Sequence, residues 1–343
     1  MGDGNRWRHL AQRNRGVEFV DACLRGASQV MLQNNPLTGL LILIGIAVGS
    51  IHSGHPRVIA GVLIAVAVGT ATAILLRAHA PSLRSGLFGF SPLLTGAGVT
   101  TFLANRPLMW LLLVLGAVVT TVVTLALTTV FTTWGVPALT FPFVLTTWFL
   151  LLGSYQFARS TLDTSAPPAL PRAETAAARL SGSVVPDVLE GVSQVFLVES
   201  WLGGLIILVG LLVNSRWSAA FAVVGAVGGT LLAIAFGTGA DAVSQGLWGF
   251  NAVLTAIALG AVLARPSGST AAYALVGVVF TVVVQAALTT VLAPLGVPTL
   301  TAPFVIATWL FLLPKRTLAP IPQHERHSDG LLAALRPAAG KSE

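Results

Sequence analysis

Gly135-Val-Pro-Ala-Leu-Thr-Phe-Pro-Phe143 recurs as Gly296-Val-Pro-Thr-Leu-Thr-Ala-Pro-Phe304, with Thr140 and Thr301 at the same place in each copy. One proline lies three residues before each threonine and another lies two residues after it. Proline has no amide hydrogen and disfavours helix at the residue before it, so we expect unwound backbone around both threonines. The alternative for a single copy is a helix that starts at proline and is capped by threonine.

The composition is that of an all-α integral membrane protein with several spans. Hydrophobic residues make up 55% of the chain and charged residues 9%, and the mean hydropathy is +0.84. These values differ strongly from those of soluble domains. The net charge of +7 comes from arginines in the polar N-terminal segment and in loops, which indicates membrane orientation and no nucleic-acid partner. We expect no cofactor and no metal site.

Apolar runs occur in two sets of five, separated by a linker rich in Pro, Ala, Ser and Thr. The runs cover about 37–54, 58–77, 86–104, 107–133 and 139–153, then 202–214, 218–239, 246–264, 271–292 and 300–313. This pattern predicts an N-terminal segment at 1–16, a first membrane repeat at 17–153, a linker at 154–181, a second repeat at 182–313 and a C-terminal tail at 314–343.

Two further pairs of phrases keep the register of the repeat. Gly26-Ala-Ser-Gln29-Val parallels Gly191-Val-Ser-Gln194-Val, at an offset of 165 (194 − 29). Gly86-Leu-Phe-Gly-Phe90 parallels Gly246-Leu-Trp-Gly-Phe250, at an offset of 160 (250 − 90). The threonine phrases are 161 residues apart (301 − 140), so three separate elements agree and indicate a duplication.

Lysine and arginine placement predicts cytoplasmic termini and an extracytoplasmic linker. This requires an odd number of spans in each half, which the five runs supply. If the Phe90 run only enters the membrane and returns, residues 17–32 become the fifth span and the parity is unchanged. An odd count inverts the second repeat relative to the first, so we expect about ten transmembrane helices plus re-entrant helices.

The paired phrases contain polar and aromatic side chains that suit a path through the membrane. An amide facing lipid is costly, so Gln29 and Gln194 either bind a neighbouring helix or line a pore. Phe90 with Leu94 and Phe250 with Leu254 share a helix face at this spacing, either as packing or as the wall of a slot. The predicted spans contain almost no charged residues, and Glu199, close to Gln194, is the exception. It either lies at a water-filled mouth or accepts hydrogen bonds inside a pore.

A path of amides, threonine hydroxyls and free carbonyls between flat apolar walls suits a small, neutral, planar solute with several hydrogen-bond donors. An ion gains too little from such walls to offset the loss of its water.

These phrases resemble those of the urea transporter family. Val136-Pro-Ala-Leu-Thr-Phe-Pro-Phe143 and Val297-Pro-Thr-Leu-Thr-Ala-Pro-Phe304 are similar to the family signature Leu-Pro-x-x-Thr-x-Pro-Phe, with Val for the leading Leu. The resemblance covers residues 20–313 and implies a channel-type urea facilitator of two inverted halves, with a pore within each protomer of a homotrimer. It implies that urea contacts a set of residues in the two halves: Gln29, Gln194, Thr140, Thr301, Phe90, Leu94, Phe250, Leu254, Val30, Val195, Leu32 and Leu197.

This sequence departs from the family pattern at a few positions. Ser91 stands where the family usually has Asn, and Leu32 and Leu197 stand where an aromatic residue can occur. Glu199-Ser-Trp201 replaces the more usual Asn-Pro context. These departures bear on the width of one slot and therefore on solute preference.

We therefore expect facilitated diffusion of urea without ion coupling, in a multi-pass protein of a bacterial cell inner membrane whose partners are urea and the lipid bilayer. The alternatives are a channel for short amides or ammonia and, from a different class, an intramembrane enzyme or a scaffold. No phosphate-loop or zinc-protease motif supports an enzyme.

Overall fold

The computed structural model describes residue 7 and residues 13–157 and 184–314, which form helices joined by short loops. Most of the predicted N-terminal segment, linker and C-terminal tail lies outside the described residues. The first half contains seven helices within these ranges: α1 Arg15–Gln29, α2 Pro36–His52, α3 Arg57–Leu75, α4 Ala80–Arg84, α5 Phe90–Phe102, α6 Pro107–Thr132 and α7 Phe141–Ser154. The all-helical fold class is confirmed.

The second half repeats this order within the described residues. Its helices are α8 Val184–Ser193, α9 Trp201–Asn214, α10 Arg216–Ala235, α11 Ala240–Ser244, α12 Phe250–Ile257, α13 Gly268–Leu292 and α14 Ala302–Leu312. A 3-10 turn, Gln194–Phe196, extends α8, a π-helical segment, Ala258–Val262, extends α12, and a 3-10 turn, Ala293–Leu295, follows α13.

Local chain reversals recur at matching places in the two halves. The backbone is left-handed at Leu32 and Leu197, at Gly86 and Gly246, and at Leu139 and Leu300. The caps match as well, because the side chain of Asn35 accepts backbone hydrogen bonds at the start of α2 and that of Ser200 does so at the start of α9. The duplication seen in the sequence is therefore also a duplication of local backbone structure.

Four helices are long and apolar enough to cross a bilayer alone: α3, α6, α10 and α13 with its extension to Leu295. Val184–Phe196 and Trp201–Asn214 pass the same test together but are bent by 75°, which brings the count to at most five within the described residues. The expected ten spans are therefore not reached by length and composition. α5 has 13 residues and α7 has 14, and such helices cover about 20 Å of a hydrocarbon core of about 30 Å.

The two halves meet along α2 and α9. Thr38 Oγ1 in α2 donates to the carbonyl of Gly210 in α9 at 2.9 Å. Further along the pair, a Cβ on Gly203 would lie 2.8 Å from the carbonyl oxygen of Gly45. Because both contacts need small residues or a hydroxyl, the helix backbones approach closely without a large apolar side chain between them.

One apolar core cluster extends through both halves. It includes Leu94 and Leu139 from the first half and Leu254 and Leu300 from the second. The short helices α5 and α12 are packed into this core with every residue from Ser91 to Thr100 and from Phe250 to Ile257 buried. The four phrases that start α5, α7, α12 and α14 therefore belong to one interior region.

Candidate functional site

Thr140 and Thr301 contact each other across the two halves. Their Oγ1 atoms lie 2.6 Å apart, within hydrogen-bond distance, and the residues are 3% and 2% exposed. Each threonine occupies the position before its helix, α7 or α14, but neither side chain caps that helix. Both helices have proline in their first turn, as expected for a helix that starts at proline and is capped by threonine. The threonine hydroxyls do not form that cap, because they bind each other.

The residues before the threonines adopt the unwound backbone that the prolines predict. Leu139 has a φ of 51° and Leu300 a φ of 50°. A leucine in this left-handed region costs about 1–2 kcal/mol, so surrounding contacts must hold the loop. Sequence reasoning did not identify these strained positions.

Two tryptophans supply such contacts, each from the opposite half. Trp309 Nε1 donates to the carbonyl of Pro137 at 2.8 Å, and Trp148 Nε1 donates to the carbonyl of Pro298 at 2.9 Å. Each loop is therefore hydrogen-bonded to the helix that follows the other loop. The sequence carries a signal for this arrangement, since the Thr-Trp pairs that include Trp148 and Trp309 are also 161 residues apart (309 − 148).

Gln29 and Gln194 have equivalent surroundings. Both are buried, and their Nε2 atoms donate to the carbonyls of Ser85 and Gln245, each at 2.9 Å. Because a carbonyl can only accept, this contact places the Nε2 side of each amide against the loop and leaves Oε1 on the other side. Oε1 of neither glutamine forms a hydrogen bond with a described residue. Each amide is thus a structural link through its nitrogen and a free acceptor through its oxygen.

Close backbone contacts place the glycine-rich phrases against the helices that carry the glutamines. A Cβ on Gly86 would lie 2.3 Å from the backbone nitrogen of Gly26, and a Cβ on Gly246 would lie 2.4 Å from that of Gly191. Only glycine fits both this approach and the left-handed backbone at Gly86 and Gly246. The contact lies one turn before each glutamine.

The aromatic residues start the short helices, as their spacing predicts. Phe90 is the first residue of α5 and is half-buried, and Phe250 is the first residue of α12 and is buried. Leu94 and Leu254 follow one turn later and are fully buried. Each pair therefore shares a helix face in the core.

The remaining predicted apolar residues lie where α1 and α8 end. Val30 and Val195 are buried in the core, and Leu32 and Leu197 are half-buried against it. Leu32 and Leu197 have φ values of 59° and 58°, so the chain turns sharply at both. The eight predicted apolar site residues thus belong to, or pack against, the core that also contains Leu139 and Leu300.

The charged candidate lies outside this interior. Glu199 is exposed, which favours a position at a mouth over a position inside a pore. Its counterpart Asn34 is also exposed, and its Oδ1 accepts a hydrogen bond of 2.7 Å from Arg25 Nη1. Arg25 also pairs with Asp21 at 2.6 Å, so the charges near this end of α1 neutralise each other.

Asn251 is a site residue that sequence reasoning missed. Its side chain donates to the carbonyl of Leu300 at 3.2 Å and to Gln285 Oε1 at 3.1 Å, and it accepts from the backbone N–H of Phe304 at 3.2 Å. It therefore binds both sides of Thr301. Its place directly after the phenylalanine of a repeated phrase was the available signal.

Comparisons with known proteins agree with the arrangement of these phrases. The family model described as urea transporter matches residues 20–316. Urea transporter 1 of Capra hircus and that of Ovis aries are each 31% identical to this chain over 313 residues, which cover 89% of the chain and 79% of the relative. Urea transporter 1 of Mus musculus is 31% identical over 307 residues. The chain belongs to the urea transporter family, and it is therefore a multi-pass membrane transporter and not an enzyme.

Proposed function

We propose that this protein is a channel-like facilitator that passes urea down its concentration gradient without ion coupling. The observation that carries the proposal is the contact between Thr140 and Thr301 across the two halves, with an equivalent glutamine acceptor on each side of the repeat. A residue that contacts its own counterpart lies close to the axis that relates the halves. A path along that axis would meet the same chemistry from either end.

In the proposed path, urea meets one glutamine, the threonine pair and the other glutamine in turn. The Oε1 atoms of Gln29 and Gln194 accept hydrogen bonds from urea N–H groups. At the constriction, urea replaces the bond between Thr140 and Thr301 with bonds to itself. Each exchange involves a net free energy of only about 0.5–1.5 kcal/mol, so urea is neither trapped nor stripped of all its partners at once.

The apolar residues act as walls that select for a flat solute. Phe90 with Leu94 lines one station and Phe250 with Leu254 the other, while Val30, Leu32, Val195 and Leu197 complete the walls. Buried leucine and phenylalanine offer no hydrogen bond, so a solute must carry its donors in the plane that faces the acceptors. Short amides and ammonia are the alternative solutes.

The absence of charge in the long helices supports uncoupled transport. Among the described residues, α6 and α13 contain no Asp, Glu, Lys, Arg or His, and α3 and α10 each contain only the arginine with which they begin. Carriers that couple transport to protons or cations generally need ionisable groups inside the membrane.

The same proposal includes the topology. The halves at 17–153 and 182–313 are inverted repeats with a pore within each protomer of a homotrimer, and the shorter helices pair to complete about ten crossings. Both termini are cytoplasmic, the linker at 154–181 is extracytoplasmic, and the protein lies in the cell inner membrane. The basic residues of the termini support this orientation.

Proteoliposome shrinkage or swelling in a stopped-flow instrument tests the function. We expect urea to equilibrate much faster in proteoliposomes than in empty vesicles, and faster than glycerol. An ionophore that collapses ion gradients should leave the urea rate unchanged. A urea rate equal to that of empty vesicles, or one abolished by the ionophore, would contradict the proposal.

A further inference from the structure

The two threonine loops are held differently in the otherwise matching halves. In the second half, the side chain of Asn251 binds the carbonyl of Leu300 and the N–H of Phe304, the residues on either side of the turn that carries Thr301. Asn251 is completely buried. Its two backbone contacts therefore hold this turn against the buried helix α12.

Gln285 orients Asn251. Its Oε1 accepts from Asn251 Nδ2 at 3.1 Å, and its Nε2 donates to the carbonyl of Leu247 at 2.6 Å. The carbonyl of Leu247 can only accept, so it fixes Nε2 as the donor of the Gln285 amide and Oε1 as the atom that faces Asn251. The contact leaves Asn251 Oδ1 directed to the N–H of Phe304.

The first half lacks this clamp. Ser91 is the counterpart of Asn251, and Thr124 is the counterpart of Gln285 (251 − 91 = 160; 285 − 124 = 161). The Ser91 hydroxyl is buried and has no hydrogen-bond partner among the described residues. Thr124 Oγ1 donates to the carbonyl of Thr120 within its own helix, at 2.7 Å.

The first-half counterparts of the two backbone groups that Asn251 binds have no hydrogen-bond partner among the described residues. Within the described ranges, neither the N–H of Phe143 nor the carbonyl of Leu139 forms a hydrogen bond, although Val144 N–H does bind the carbonyl of Thr140 at 3.1 Å. The equivalent bond from Val305 to Thr301 is also 3.1 Å. The loops therefore share a geometry and differ in what holds it.

We propose that Asn251, oriented by Gln285, is a positioning residue for Thr301, and that Ser91 leaves Thr140 on a compliant loop that admits solutes slightly larger than urea. The inference rests on the proposed urea path. One side of the constriction is rigid and the other yields, so N-methylurea, which adds one methyl group, should pass at a measurable fraction of the urea rate.

The two halves provide their own exchange variants. Ser91→Asn combined with Thr124→Gln copies the second-half clamp into the first half, where both changes enlarge a buried side chain. Asn251→Ser combined with Gln285→Thr copies the first half into the second. Ser269→Asn, at an exposed position, makes the same chemical change outside the site and serves as the control.

Hydrogen exchange of the two loop segments tests the clamp without reference to transport. In the wild type, residues 300–305 should exchange more slowly than residues 139–144, on the order of tenfold for one additional net hydrogen bond. The first-half exchange variant should remove the difference by slowing 139–144, and the second-half variant should remove it by speeding 300–305. Equal exchange in the wild-type segments would overturn the inference.

The ratio of N-methylurea to urea permeability tests selectivity in the same proteins. We expect the first-half variant to lower this ratio several-fold and the second-half variant to raise it, with Ser269→Asn at the wild-type value. An unchanged ratio in a variant whose loop exchange has shifted would overturn the selectivity role. A wild type that carries no urea would instead contradict the proposed function, while the exchange result would still decide whether the clamp exists. If one exchange variant does not fold, the other gives both readouts, and the wild-type comparison of the two loop segments still decides whether the clamp exists.

Discussion

Replacing either threonine of the central pair by valine tests the proposed path at its narrowest point. Valine has nearly the volume of threonine but no hydroxyl, so Thr140→Val or Thr301→Val removes one acceptor and keeps the packing. In the structure the two Oγ1 atoms are 2.6 Å apart and both residues are buried. Urea then loses one hydrogen bond at the constriction, worth about 0.5–1.5 kcal/mol, which corresponds to a two- to tenfold lower flux.

Stability should respond to the same changes in a different way. Each single valine leaves the other hydroxyl buried without its partner, at a cost of about 1–3 kcal/mol. The double variant leaves no unpaired hydroxyl, so it should be no less stable than either single variant. Its flux, however, should be the lowest of the three because the constriction then offers no side-chain acceptor.

Stopped-flow urea flux and thermal unfolding in detergent measure the two quantities in one set of proteins. Thr140→Ser keeps the hydroxyl and is the control, with flux close to that of the wild type. The reasoning is refuted if both single variants pass urea at the wild-type rate. It is also refuted if the losses of stability simply add in the double variant, since independent sites behave in that way.

Three further changes test the parts that support this pair. Gln29→Leu should lower urea flux more than thermal stability, because Oε1 is offered to the solute while only the Nε2 bond of 2.9 Å to Ser85 supports the fold; loss of folded protein would instead favour a purely structural amide. Gly86→Ala should prevent folding or cost several kcal/mol, since the new Cβ would lie 2.3 Å from a backbone atom. Gly54→Ala is the control, because Gly54 has a similar φ and open space around it, and it should cost only about 1–2 kcal/mol in thermal melts. Equal costs would show that backbone strain and not the close contact determines the loss of stability. Trp309→Phe should lower flux by releasing the loop at Pro137, and Trp201→Phe, at an exposed position, is the control; unchanged flux in both would remove the tryptophan from the support of the loop.

The long helices could be predicted closely from the sequence. The apolar runs at 58–77 and 107–133 correspond to Arg57–Leu75 and Pro107–Thr132. A long apolar segment in a membrane forms a helix because its backbone N–H and C=O groups must bind each other. The prolines around Thr140 likewise predicted unwound backbone. The number of crossings could not be derived in this way, since whether a 13-residue helix crosses depends on its partner and not on its composition.

The details that hold the site depend on contacts between halves that no local pattern encodes. A left-handed φ at Leu139 follows from the packing of two loops, because leucine has no intrinsic preference for that conformation. Trp148 and Trp309 each donate to a carbonyl in the loop of the other half, and no pattern within their own helices indicates this partner. A buried asparagine such as Asn251 reveals its role only when its three partners are known.

The distribution of symmetry in the molecule agrees with a path near the axis between the halves. Contacts at the threonine pair, the glutamines and the tryptophans are equivalent in both halves. Along the seam of α2 and α9, by contrast, one end holds a bond of 2.6 Å from Asn214 Nδ2 to Gln33 Oε1. The matching place at the other end holds Val198 against Gly49.

A seam that only packs can exchange a polar pair for an apolar contact, because either arrangement satisfies its own groups. A path for a passive solute has less freedom, since flux is limited by its highest barrier and a loss at one station is not recovered at the other. We infer that equivalence persists in the side chains that urea would contact and is relaxed in residues outside the path, including Asn251 and Ser91, which only support a threonine loop. Ser91 is then informative because it breaks the equivalence next to the constriction, where a change in the support of Thr140 would alter which solutes pass.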